Sequence, residues 1–293
     1  MDSDLSVGLG DGTAIGFTEV GNPDGFPVLH MHANPGSRLD VDIPAVRGAA
    51  ESLGVRLVGM DRPGIGLSTF HRFSLGDYPE QVGRFADALA LEEFGITGVS
   101  GGAKYATACA VLLPDRVMRV ALISSTCSQD LPGAKATPNS QDRLMYSLAD
   151  HVPWLVRPIF AKLTHDARCD PDSLVAMLNR LGPADQALLA DESLREALAR
   201  SLAEAFRQGG RGVAQDYTIE ARPWGVDLDD IRIPVDIWHG EDDRLVSADA
   251  GLILAEAINP TTTHFEADAG HLMLSTYALD ILRSVTNRTT TTR

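Results

Sequence analysis

The chain has 293 residues, 44% of them hydrophobic, with a formal net charge of −15. That much apolar chain can bury a large core, and it excludes a disordered polymer. The acidic balance argues against nucleic acid and anionic membrane as partners, because phosphate binding needs clustered Lys and Arg.

Three cysteines, Cys109, Cys127 and Cys169, lie far apart with no CxxC spacing. They form neither a disulfide framework nor a zinc site, and they suit a reducing cytoplasm. The opening Met1-Asp2-Ser3-Asp4 lacks the basic and apolar regions of a signal peptide, and no run is long enough to span a membrane. The expectation is a cytoplasmic protein, monomer or homodimer, acting on a small molecule.

In chain order, Thr13 to Val20 and Pro27 to His32 read as short strands. A helix is expected from about Pro44 to Leu53, then a strand from Val55 to Met60. Asp77 to Phe94 carries apolar residues at helical spacing. Gly95 to Val99 reads as a strand, Ala103 to Leu113 as a helix and Val117 to Ser124 as a buried strand. Continuous Val/Ile/Leu runs alternating with helices mark a mostly parallel sheet covered on both faces, an α/β class.

From about Cys127 to Asp230 the alternation stops and the pattern is almost wholly helical. Leu194, Leu198, Leu202 and Phe206 form one stripe, Trp154, Leu155, Ile159, Phe160 and Leu163 a second, and Leu174, Met177, Leu178 and Leu181 a third. The alternation resumes with a strand at Ile233 to Trp238, a helix from Ala248 to Ile258, a strand from Thr262 to Glu266 and a helix from Leu272 to about Val285. The division expected is a core of residues 1–126 and 231–293 with an inserted helical cap, 127–230. Thr286 to Arg293 reads as a frayed tail.

Between the Gly95–Val99 strand and the helix after it stands Gly98-Val99-Ser100-Gly101-Gly102, a G-x-S-x-G pattern. A serine on such a sharp strand-to-helix turn exposes its hydroxyl above the sheet. A hydroxyl needs a base, and the base needs an orienting partner. Of eight histidines, only His271 stands in a Gly-His turn between the last strand and the last helix, where an open α/β sheet keeps its ligands. His239 and His264 read as structural. The acid is expected in the turn Glu241-Asp242-Asp243, where chemistry alone leaves all three carboxylates open.

Acyl transfer also needs N–H donors for the oxyanion. Gly101 supplies one, and Asn34, in the loop His32 to Ser37, is placed to supply the other. Two rival readings are weaker. Gly64-Ile65-Gly66 lacks the third glycine of a dinucleotide loop. His30 and His32 share a strand with no third metal ligand nearby, so strand packing is the better reading.

The landmarks His32-Ala33-Asn34-Pro35-Gly36-Ser37, Asp61-Arg62-Pro63-Gly64-Ile65-Gly66-Leu67-Ser68, the Ser100 turn, Gly240-Glu241-Asp242-Asp243 and Gly270-His271 together resemble the capped α/β-hydrolase fold family. Pro223-Trp224-Gly225 is similar to actinobacterial members. The resemblance implies a cofactor-free and metal-free serine hydrolase with Ser100, His271 and Asp243 as triad, its GxxD register choosing Asp243 over Asp242. Ala33 replaces the family's usual glycine in the oxyanion loop, and Ala103 stands where many members have a third glycine. A small, apolar ester or lactone is the expected substrate. Alternatives are a C–C bond hydrolase, a proline iminopeptidase-like amidase, or a non-catalytic small-molecule receptor on the same fold. Trp154, Phe160, Met177 and Phe206 are candidates for an apolar substrate chamber, although each taken singly fits packing of the cap better.

Overall fold

The computed structural model describes residues 4–169 and 176–286. Its described strands form one eight-stranded sheet in the order β1-β2-β4-β3-β5-β6-β7-β8. β1 (Leu5–Gly8) and β2 (Ala14–Gly21) make the antiparallel edge, with β2 also antiparallel to β4 (Arg56–Met60). From there β3 (Pro27–Met31), β5 (Phe94–Val99), β6 (Val117–Ile123), β7 (Val235–Gly240) and β8 (Thr261–Glu266) run parallel. β5 and β7 are buried at every position, as expected of strands covered on both faces.

The two faces carry separate cores. On one, α1 (Pro44–Leu53) and α10 (Leu274–Thr286) bring Val46, Ala50, Ile281 and Leu282 against Val28, Leu57 and Ile123. On the other, α2 (Tyr78–Ala88), α3 (Ala103–Leu112) and α9 (Asp249–Ala257) bring Val82, Phe85, Tyr105 and Leu254 against Leu29, Ile96 and Leu122.

Between β6 and β7, neighbours in the sheet, the chain makes α4 (Ser140–His151), α5 (Pro153–Cys169), α6 (Pro183–Leu188), α7 (Glu192–Ala205) and α8 (Arg211–Glu220). These helices build a third cluster, in which Val156, Phe160, Leu202, Phe206, Val213 and Tyr217 meet Ile65 from the loop after β4.

Two departures from the sequence reading exceed a shift of a residue or two. Helical spacing runs on to Phe94, but α2 ends at Ala88 and Ala90 takes φ +54°. Phe94 instead opens β5, fully buried opposite Val117, because the sheet core buries its ring more completely than a helix end would. β1 was not anticipated, since its four residues bury only one face and carry little pattern. Leu174, the Met177 side chain and the tail beyond Thr286 lie outside the described residues.

Glycines set how closely the layers approach. A Cβ on Gly102 would fall 2.2 Å from the Met31 carbonyl oxygen and 2.5 Å from that of His32. Gly48, inside α1, has nothing within 4 Å of such a Cβ. Gly102→Ala is therefore expected to lower stability by about 3 kcal/mol, and Gly48→Ala to raise it by about 0.5–1 kcal/mol. Urea unfolding midpoints check both, and equal midpoints would contradict the packing described.

Candidate active site

All the candidate residues follow the carboxyl ends of parallel strands, the edge where open α/β sheets bind ligands. Met31 pairs with Gly98, Val99 with Ile123 and Ile123 with Trp238, so the strand ends line up and the loops beyond them converge. Ser100 opens a short 3-10 turn, Ser100–Gly102, that runs straight into α3. Its φ is +52°, a left-handed conformation that a non-glycine residue adopts only under constraint. The constraint is the close approach of β5 and α3: a Cβ on Gly98 would lie 2.8 Å from Ala106 Cβ and 2.9 Å from Ala103 Cα.

His271 donates from Nδ1 to Asp243 Oδ2 at 2.7 Å. The other oxygen, Oδ1, accepts the backbone N–H groups of Leu245 and Val246, both at 2.9 Å. His239 Nε2 stands 3.4 Å from Oδ2, so this buried histidine borders the acid. Asp242 faces elsewhere, accepting from Ala184 N at 3.1 Å and pairing with Arg244. Of the carboxylates left open by chemistry, the structure brings Asp243 to the histidine.

Burial favours the uncharged forms of both partners, and their attraction outweighs it. His271 is held above the ordinary imidazole value by Asp243, and Asp243 well below the usual carboxylate range by His271 and His239.

The backbone of the histidine turn is held from the helical segment. Asp185, fully buried on α6, accepts His271 N at 2.9 Å and Leu272 N at 2.8 Å. Ser124 Oγ at the end of β6 donates to the His271 carbonyl at 3.0 Å. Sequence reasoning missed Asp185. The one local trace is Gly270, where a Cβ would lie 2.3 Å from the Asp185 carboxylate.

The loop after β3 is fixed just as firmly. Arg62, fully buried, donates from Nη1 to the His32 carbonyl at 2.6 Å and from Nη2 to the Ala33 carbonyl at 2.9 Å. Its Nε donates to Asp216 of α8 at 2.7 Å. Ala33 N donates to Asp40 at 3.1 Å, and Asp40 in turn accepts a short bond from Ser201 of α7. Ala33 is not among the residues of positive φ, so the family's glycine is not required there. Asn34 lies beyond it, at the cavity that Ser100 and His271 also line.

His30 and His32 are held separately. His30 bonds Thr97 Oγ1 at 2.9 Å. His32 donates to the Ala33 carbonyl at 2.8 Å, and burial, aided by Arg62, pushes its pKa down to about 3, so the ring stays neutral. His264 stacks on Trp238 with ring centroids 3.7 Å apart. Among the described residues no group of three His, Cys, Asp or Glu side chains is placed to hold a metal.

The cavity measures about 120 Å³. Leu198, Leu202, Leu245 and Leu272 give it apolar walls, and Tyr146, Tyr217, Asp142 and Glu220 a polar side. Of the residues considered for an apolar chamber, Trp154, Phe160 and Phe206 do not line it, and the Met177 side chain is outside the described residues. Trp154 is 63% exposed on α5, while Phe160 and Phe206 are buried in the core of the helical segment. The apolar stripes containing them gave no sign of which face meets the cavity and which meets a neighbouring helix.

The alpha/beta hydrolase fold family profile matches residues 27–276. The chain belongs to that family. Among solved structures, it is similar to an esterase from Thermogutta terrifontis (20% identity, TM-score 0.68, 98% of this chain and 100% of that one covered). It is also similar to an esterase from Exiguobacterium antarcticum (17%, TM-score 0.72, 97% and 100% covered). A third similar structure is the enol-lactonase from Burkholderia xenovorans (18%, TM-score 0.64, 95% and 100% covered). No curated protein sequence matches the chain. No helix among the described residues is long and apolar enough to cross a membrane.

The pairing of His271 with Asp243 is open to direct test by histidine ring NMR. The His271 ring is expected to titrate above the usual value of about 6.5. In Asp243→Asn the attraction is gone and burial remains, so the midpoint is expected to fall below that value. An unmoved midpoint would contradict the coupling.

Proposed function

We propose that this member of the family is a serine hydrolase acting on small carboxylic esters or lactones through an acyl-enzyme. The observation that carries the reading is the 2.7 Å bond from His271 to Asp243 beside the cavity into which Ser100 is turned. That several structural neighbours bear the names esterase and enol-lactonase supports the same chemistry.

In this reading the Ser100 hydroxyl attacks the substrate carbonyl carbon while His271 Nε2 takes its proton. Asp243 keeps Nδ1 protonated and stabilises the imidazolium. The N–H groups of Asn34 and Gly101 receive the oxyanion. His271 then protonates the departing alkoxide, and a water activated by the same ring hydrolyses the acyl-enzyme, restoring Ser100. Residues 1–126 and 231–293 act as the catalytic core, and 127–230 as a cap that supplies part of the pocket walls.

Ser100→Ala is expected to lower kcat on a p-nitrophenyl ester by about five to six powers of ten, and to abolish labelling by a fluorophosphonate probe. Asp243→Asn is expected to lower it by about three to four powers of ten, and Asp242→Asn far less. The native kcat/KM is expected to rise with pH as His271 loses its proton, with a midpoint above about 6.5. Labelling that persists in Ser100→Ala would overturn the reading. So would a correctly folded protein with neither turnover nor labelling, which would favour a receptor.

The walls make a second expectation. Leu198→Ala and Leu202→Ala are expected to shift preference toward longer acyl chains. Phe160→Ala is expected to lower the melting temperature and leave that preference alone, because its ring packs inside the helical segment. A panel of p-nitrophenyl esters and a thermal melt separate these outcomes, and a chain-length shift confined to Phe160→Ala would reverse the assignment.

A further inference from the structure

Two buried charges stand beside Ser100 and take no part in the proposed chemistry. Lys104, on the first turn of α3, is fully buried. Its ammonium lies 3.3 Å from Glu220 Oε2 and 4.9 Å from the centre of the Tyr105 ring. Glu220, the last residue of α8, is 3% exposed. Thr126 Oγ1 donates to its Oε1 at 3.1 Å, and Asn34 Nδ2 donates to its Oε2 at 3.2 Å. The carboxylate presses on the turn after Ser100: a Cβ on Gly101 would lie 2.8 and 2.9 Å from its two oxygens.

A carboxylate only accepts hydrogen bonds, so it fixes the Asn34 amide with its nitrogen inward. A bare negative charge this close to the Gly101 and Asn34 N–H groups would also oppose an oxyanion forming there. Lys104 offsets that charge from outside the cavity, which it does not line. Burial disfavours the ammonium, and Glu220 is the first of the charges that favour it.

Resting on the serine-hydrolase reading, we infer that Glu220 and Lys104 are a pair of positioning residues for oxyanion binding. Glu220 fastens the Asn34 loop through its side chain, and Lys104 neutralises the carboxylate that does so. The helical segment thereby reaches into the oxyanion site without touching the substrate carbonyl.

The test combines kinetics on p-nitrophenyl acetate with the Asn34 side-chain amide signal in ¹⁵N NMR. Lys104→Met is expected to lower kcat about 100-fold, the scale of one lost oxyanion donor, with KM changed less than about threefold. Lys104→Met combined with Glu220→Gln is expected to regain most of that loss, because the uncompensated charge is gone. Glu220→Leu is expected to lower kcat similarly and to shift the Asn34 amide signal, whereas Glu220→Gln keeps both close to native.

A double variant no better than Lys104→Met, with both folded by circular dichroism, would overturn the neutralising role. An Asn34 signal or kcat unmoved in Glu220→Leu would overturn the positioning role. If Lys104→Met does not fold, the comparison of Glu220→Leu with Glu220→Gln decides the matter. Were the native protein to turn over no ester, the serine-hydrolase reading and the catalytic role resting on it would fall, while the amide signal would still decide whether Glu220 holds Asn34.

Discussion

A guanidinium sealed from water needs an anion, and for Arg62 that anion comes from a distant part of the chain. Arg62 holds the His32 and Ala33 carbonyls with two nitrogens and reaches Asp216 with a third. The loop carrying Asn34 therefore keeps its shape only while α8 is docked. Removing one partner of a buried pair costs about 3–5 kcal/mol, because the other charge is left without compensation. The same logic recurs nearby: Arg38, buried, pairs with Asp61 at 2.9 Å and with Glu204 of α7.

The work is divided between two parts of the sequence. In the proposed reading the sheet and its loops supply Ser100, Asp243, His271 and the N–H groups of Asn34 and Gly101. The segment between β6 and β7 supplies carboxylates that immobilise those loops: Asp185 under the histidine turn, Asp216 under Arg62 and Glu220 against Asn34. Asp216 and Glu220 are four residues apart, so one face of α8 serves two neighbouring anchors. With one carboxylate at the histidine turn and two at the Asn34 loop, the segment is part of the site's framework.

What was legible in the sequence was local. The Ser100 turn, the Gly270-His271 turn and the strand runs before them depend on residues adjacent in the chain, and glycine, proline and β-branched residues mark such geometry directly. The alternation that locates the sheet was legible for the same reason. Asp185 was not, because it bonds His271 across 86 positions and looks, in sequence, like any acid at the start of a helix. Lys104 and Glu220 were hidden likewise: a charged residue on a helix normally faces water, and only the fold reveals that these two are buried together. Trp154 illustrates the converse. Its apolar stripe promised burial, yet the helix face it occupies is left open.

These buried pairs also bear on how the two parts of the chain can change. Walls such as Leu198 and Leu202 carry no charge, and variation there alters packing and the room available without stranding an ion. The charged anchors are reciprocal, so a helical segment transplanted from another member of the family would bring its own pattern of acids to Arg38, Arg62 and Lys104, which lie outside that segment. Where that pattern failed to match, cations would be stranded in a dry interior, and the graft would disturb the Asn34 loop before it ever met a substrate. Exchange of whole segments is thus constrained by electrostatic fit more tightly than by pocket size.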